Sequence, residues 1–268
     1  MTATAYYNEI DPFAAAWLQN LIDAGCVAPG VIDTRSIEEV TANDLKGFTQ
    51  CHFFAGIGVW SYALRRAGWP DSRPVWTGSC PCQPFSQSGK RRGFNDPRHL
   101  WPAWFYLVSQ CRPHVIFGEQ VASKDGLTWF DAVQFDLEKA EYAVAVVDLC
   151  AAGFGAPHIR QRLFWVAYAN NDRQQSGCRG GSSSKSPIKR NNPGRCGEAV
   201  FSSPVNGYWR DADWLFCRDG KWRPVKPGLK PLVNGAPGRV GQLRAYGNAI
   251  VAPVAEAFIR AYMEAVTQ

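Results

Sequence analysis

The chain has 268 residues, 46% hydrophobic and 19% charged, with a formal net charge of +6. That length suits one large domain with an appendage, since single domains hold about 100–200 residues, and no stretch reaches the roughly 18 consecutive apolar residues of a membrane span. The basic balance fits a nucleic-acid partner. The nine cysteines, with no C-x-x-C pair and no histidine at zinc-ligand spacing, imply a reduced compartment and no structural metal. The opening MTATAYYNEIDPF lacks the basic start and apolar run of a signal peptide, so a cytoplasmic, monomeric protein is expected.

Taken in chain order, residues 3–7 (ATAYY) read as a short strand, and Asp11–Ile22 carries apolar residues at helical spacing after an Asp-Pro start. Gln50–Ala55 reads as a second strand that breaks at Gly56-Ile57-Gly58 into a helix over Trp60–Ala67. Pro74–Gly78 reads as a third strand and runs into a loop, SCPCQPFSQSGKRRGF. A helix near 99–111, a strand at 114–118, a helix near 126–140 and strands near 142–149 and 162–168 follow. Alternation of this kind predicts a doubly wound α/β fold, its mainly parallel sheet covered on both faces.

After Tyr168 the character changes. Asn170–Pro204 has almost no large apolar residues and places six Lys or Arg between Arg173 and Arg195, which reads as loop or disorder. From Val205 to Val233 tryptophans alternate with turn residues, predicting a small irregular or β-rich unit in which Trp209, Trp214 and Trp222 form the core or stack on bases. A last helix is expected over roughly 250–265. The expected organisation is a catalytic α/β domain over 1–168, a small target-recognition region over 169–239, and a segment over 240–268 that returns to the first domain.

The chemistry concentrates at Pro81-Cys82-Gln83-Pro84-Phe85-Ser86, directly after a strand. Open α/β sheets bind ligands at the carboxyl ends of their strands. Gly, Ser, Gln and the basic run Lys90, Arg91 and Arg92 surround Cys82, which suits an exposed thiol with a lowered pKa better than a structural core cysteine.

Ser79–Phe94 resembles the Pro-Cys catalytic loop, motif IV, of the C5-type DNA cytosine methyltransferases. Other blocks agree in order: His52–Gly58 is similar to the motif I cofactor turn, Phe117–Val121 to motif VI, Gly155–Val166 to motif VIII and Ala245–Val251 to motif X. The resemblance implies methyl transfer from S-adenosylmethionine to carbon 5 of a cytosine flipped out of double-stranded DNA. Carbon 5 is a poor nucleophile until something adds to carbon 6, so the family uses a thiolate, here Cys82. Glu119 matches the carboxyl group that assists at ring nitrogen 3, Arg162 the arginine that holds base and carboxyl, and Arg160 its structural or phosphate-facing neighbour. Base extrusion costs a few kcal/mol of unstacking. Gln83, Ser86, Ser88, Lys90, Arg91, Arg92 and Arg98 are expected to contact the DNA during it.

Too few residues separate the motif I turn from Cys82 to hold motifs II and III. Tyr6–Ala14 resembles motif II, with Glu9 at the ribose position, and Ser36–Val40 resembles motif III, so these segments read as transposed ahead of motif I. Glu9 equally suits a cap before the Asp11 helix. The resemblance implies a cofactor site of Phe54, Ala55, Gly56, Ile57, Gly58, Glu9, Ile10, Ser36, Ile37, Pro81, Leu100, Asn248, Ala249 and Ile250. His52 and Ser36 stand where the family has Asp, and Gln120 where it has Asn. The competing readings are a tRNA cytosine methyltransferase, an enzyme adding a group other than methyl, and a catalytically silent DNA-binding homologue.

Overall fold

The computed structural model describes residues 4–81, 100–156, 158–169 and 247–267, and the backbone of 213–216 and 222–225. A seven-stranded sheet contains β1 (Ala5–Asn8), β2 (Gly30–Asp33), β3 (Gln50–Phe53), β4 (Val75–Gly78), β5 (Val115–Val121), β6 (Tyr142–Cys150) and β7 (Gln161–Ala169), in the spatial order β2-β1-β3-β4-β5-β7-β6. The first five pair in parallel with their neighbours, whereas β7 is antiparallel to both β5 and β6. The expected doubly wound, mostly parallel α/β fold is the one observed. A separate antiparallel pair, β8 (Asp213–Phe216) and β9 (Trp222–Val225), falls inside the stretch read as β-rich.

Side chains alternate across a strand, and this sorts the core onto two faces. Ile116, Leu163 and Trp165 pack with Trp104 of α3 (Trp101–Cys111) and with Phe130 and Val133 of α4 (Lys124–Lys139). Phe117, Phe164 and Val166 pack on the other side, with Trp60 of α2 (Val59–Ala67) and with Val254 and Ile259 of α5 (Ala252–Ala265). A third cluster joins Leu18 of α1 (Pro12–Asp23) to Tyr7 and Val27. The last helix thus returns to the sheet, on the same face as α2.

Two paired glycines, Gly78 at the carboxyl end of β4 and Gly118 in the middle of β5, leave room for tryptophan rings to lie close against the strand backbones. A Cβ at Gly78 would lie 2.5 Å from the Trp104 ring, and one at Gly118 2.1 Å from the Trp165 ring. Glycine within a strand marks such close contact.

The structure differs from the sequence reading in several places, among them β5, which runs to Val121 rather than ending at 118. β2 was not expected: four residues, mostly half-exposed, give too short a hydrophobic pattern to read. β3 ends at Phe53 rather than Ala55, because Phe54 turns to φ 52°. The helix read from Asp11 begins at Pro12, with Asp11 as its N-cap accepting from the amides of Phe13 and Ala14.

Candidate active site

β1 lies between β2 and β3, and its register pairs Asn8 with Phe53. Glu9, the next residue, therefore reaches the turn that follows β3. Its Oε2 accepts the Gly56 N–H at 2.6 Å and its Oε1 the Asp11 N–H at 2.8 Å, while the residue is only 9% exposed. The helix cap is Asp11, so Glu9 is not the group that closes the first turn of α1.

The turn is built from residues in uncommon backbone conformations: Phe54 at φ 52°, Gly56 at 55° and Gly58 at 76°. A side chain at Gly58 would also meet Leu18 Cδ1 at 2.6 Å, so α1 packs against the turn only because that position is glycine. Ala55 is tied to β1 through its N–H to the Asn8 carbonyl at 3.0 Å. Phe54 stands edge-on to Trp104, with centroids 6.0 Å apart, and Ile57 is buried behind the turn. Ile10, beside Glu9, is 64% exposed. The result is a backbone turn with a held carboxylate and two apolar side chains, Phe54 and Ile10, that are not fully covered.

The other expected cofactor residues are distributed unequally. Ser36 caps a short 3-10 turn and forms a capping box with Glu39, and the loop before it is fixed by Asn8 Nδ2 donating to the Arg35 carbonyl at 2.9 Å. Ile37 is 2% exposed and belongs to the core, so its side chain supports the site from behind. Leu100 precedes α3 and packs against the same core, while Pro81 is exposed. Asn248 is exposed, Ala249 half-buried and Ile250 buried.

At the far side of β4, Glu119 occupies the carboxyl-terminal part of β5 at 8% exposure, and Arg162 of β7 faces it with Nε 2.8 Å from Oε1. Burial raises the proton affinity of Glu119, while Arg162, Arg160 and a hydrogen bond from Ser79 oppose that rise. Arg160 turns the other way: its guanidinium donates to the carbonyls of Gly247 at 3.0 Å and of Ala249 at 2.9 Å. It joins the segment before β7 to the turn before α5, a structural role for this residue. Gln120, on the opposite face, is buried and its Oε1 accepts the Val121 N–H.

His52 takes a neutral role where the family pattern has Asp. It is buried, stacks on Tyr7 at 4.8 Å and hydrogen-bonds Thr77 and Gln50, and burial lowers its pKa to about 3. Cys80 is buried in the core, and burial pushes its thiol well above the ordinary value, the opposite of a reactive thiolate. Cys82, Gln83, Ser86, Ser88, Lys90, Arg91, Arg92 and Arg98 lie outside the described residues, as do Trp209 and the basic stretch from Arg173 to Arg195. Among the described residues no group of His, Cys, Asp and Glu is arranged to hold a metal, and no helix is long and apolar enough to cross a membrane.

Sequence reasoning missed Ser79 and Trp60, whose side chains meet at 3.1 Å beside Glu119. Nothing in their spacing signals the contact, because it joins α2 to the end of β4.

Residues 69–194 match the model of the family described as C-5 cytosine-specific DNA methylase. The Type II methyltransferase M.HhaI of Haemophilus parahaemolyticus is 33% identical over 95 residues, 34% of this chain and 29% of that protein. The Type II methyltransferase M1.ScrFI of Lactococcus lactis subsp. cremoris is 27% identical over 173 residues, 62% of this chain and 42% of that protein. The matched part of the chain thus spans less than half the length of these relatives. Among solved structures, a DNMT2 variant of Spodoptera frugiperda aligns at TM-score 0.43 and 19% identity, over 66% of this chain and 45% of that one.

Proposed function

From the match of residues 69–194 to the family described as C-5 cytosine-specific DNA methylase, we propose that the chain is a DNA (cytosine-5)-methyltransferase acting on double-stranded DNA. The observation that carries the reading is a buried strand-end carboxyl group, Glu119, with Arg162 2.8 Å away and a cofactor-type turn two strands across the sheet. Burial raises the proton affinity of Glu119, so this carboxyl is suited to hold a proton against nitrogen 3 of a cytosine ring. Arg162 orients it and can donate to the same base.

Cys82, three residues beyond Ser79, is assigned the nucleophile. Its thiolate adds to carbon 6, which moves electron density to carbon 5. After transfer the carbon 5 proton leaves and the thiolate is expelled. Gln83, Ser86, Ser88, Lys90, Arg91, Arg92 and Arg98 are assigned to the DNA contacts that extrude the base.

The residues present fit S-adenosylmethionine. Glu9 is held at the turn as an acceptor for ribose hydroxyls, Gly56 has open space where a side chain would stand, and Ile10 and Phe54 offer apolar surface. With Ala55, Ile57, Gly58, Pro81, Leu100 and Asn248 these would hold the cofactor, while Ser36, Ile37, Ala249 and Ile250 support the loops that carry them. When bound, the cofactor supplies an electrophilic methyl group.

The test is base-resolution sequencing of 5-methylcytosine in DNA, alongside tRNA, from cells expressing the chain. Methylated cytosine at a recurrent DNA sequence supports the reading. Methylation confined to tRNA, or none in either, overturns it.

A further inference from the structure

Trp60 is the second residue of α2, two positions beyond Gly58. Its buried ring is fixed between aromatic neighbours, stacked on Phe117 at 6.1 Å and edge-on to Phe164 at 5.9 Å. The indole N–H therefore has one direction available, and it donates to Ser79 Oγ at 3.1 Å. Ser79 follows Gly78, whose partner across the β4–β5 ladder is Gly118, so it stands beside Glu119, and its hydroxyl acts on that carboxyl as a donor that favours the ionised form. An indole N–H can only donate, so it occupies a lone pair of the hydroxyl and leaves the Ser79 O–H to be the donor toward the carboxyl.

We propose that Trp60 and Ser79 form a positioning relay: the helix that follows the glycine turn fixes the Ser79 hydroxyl, and that hydroxyl fixes the Glu119 carboxyl opposite Arg162. The relay is independent of the nucleophile, and its catalytic meaning rests on Glu119 acting at the base as proposed above. The charged groups that act on Glu119 among the described residues are Arg162 on β7 and Arg160 just before it; α2 contributes only the indole and β4 only the serine. Ser79 thus supplies a neutral donor on a carboxyl that otherwise meets cations. Losing it removes a hydrogen bond that favours the ionised form, which raises proton affinity. Because Ser79 lies three residues before Cys82, the same relay also ties the start of the nucleophile loop to α2.

The test is a carbon-13 titration of the glutamate carboxyl groups in the full chain without DNA or cofactor, with the Glu119 signal assigned by its loss in Glu119→Gln. Ser79→Ala is expected to move the Glu119 midpoint upward, and Ser79→Thr, which keeps the hydroxyl, to leave it near the parent value. The Trp60 indole nitrogen-15 resonance should follow the Glu119 midpoint in the parent protein and lose that dependence in Ser79→Ala. An unmoved midpoint in Ser79→Ala, an equal upward shift in Ser79→Thr, or a Trp60 resonance that still follows Glu119 in Ser79→Ala would overturn the relay. Since no methylation is measured, a failed relay is distinct from a failed methyltransferase reading, which shows as absent 5-methylcytosine whatever the titration gives.

Discussion

Two glutamates near strand ends are covered to nearly the same extent, 9% exposed for Glu9 and 8% for Glu119, yet the contacts seen at each differ in kind. Glu9 is held by backbone amides of its own neighbourhood and of the β3 turn. Glu119 is held by side chains, the Arg162 guanidinium from an antiparallel strand and the Ser79 hydroxyl from the end of β4. Backbone amides have little freedom and donate only, so they fix a carboxylate as a stationary acceptor. A carboxyl raised in proton affinity by burial and checked by nearby cations can instead exchange a proton. Burial alone does not separate the roles proposed for the two carboxyl groups; the kinds of donor seen at each do differ.

The largest expected effect comes from Cys82, the proposed nucleophile. Cys82→Ser should reduce methyl transfer to background while cofactor affinity and melting temperature stay near those of the parent, because a serine hydroxyl is far less nucleophilic at neutral pH. DNA carrying 5-fluorocytosine should trap a covalent complex through Cys82, and peptide mapping that placed the adduct on buried Cys80 would overturn the assignment.

Next in size is Glu119→Gln, expected to lower the rate constant by about 10²–10⁴-fold, the range for a lost general acid. Cofactor affinity should hold, and a parallel loss of both would erase the division between the two glutamates.

Glu9→Ala should do the reverse. Losing a hydrogen bond from a charged group costs about 1.5–3 kcal/mol, a rise of roughly 10- to 150-fold in the cofactor dissociation constant. DNA affinity should be unchanged, and calorimetry of cofactor binding decides it. Asp11→Ala gives the contrast, since it removes a helix cap worth about 1 kcal/mol and should lower the melting temperature without moving cofactor affinity.

An effect on stability alone belongs to His52. Its folded pKa is depressed to about 3 from an ordinary 6.5, so the neutral ring is the one the fold accommodates. Its contribution to stability is fully present above about pH 6.5 and is lost as pH falls toward 3, by up to about 1.4 kcal/mol per pH unit. Melting curves between pH 7 and 5 should show that slope in the parent, and His52→Gln should flatten it.

Read from sequence alone, the chain declares most of its strands and helices because hydrophobic period is a local property, and it declares the glycine turn because glycine readily takes the positive φ of Gly56 and Gly58. The Asp-Pro start of α1 is legible for the same local reason, as is the strand that leads to Glu119, although β5 runs on past 118 to Val121. What sequence could not decide is who stands beside whom. The lateral order that puts β1 between β2 and β3 sets Glu9 against Gly56, and the antiparallel entry of β7 brings Arg162 to Glu119. Arg160 meets the carbonyls of Gly247 and Ala249, and Trp60 meets Ser79, only once α5 and α2 have packed on the sheet. Strand pairing and helix packing depend on contacts between residues far apart in the chain, and no local pattern of residue types encodes which distant surface will supply a hydrogen-bond partner.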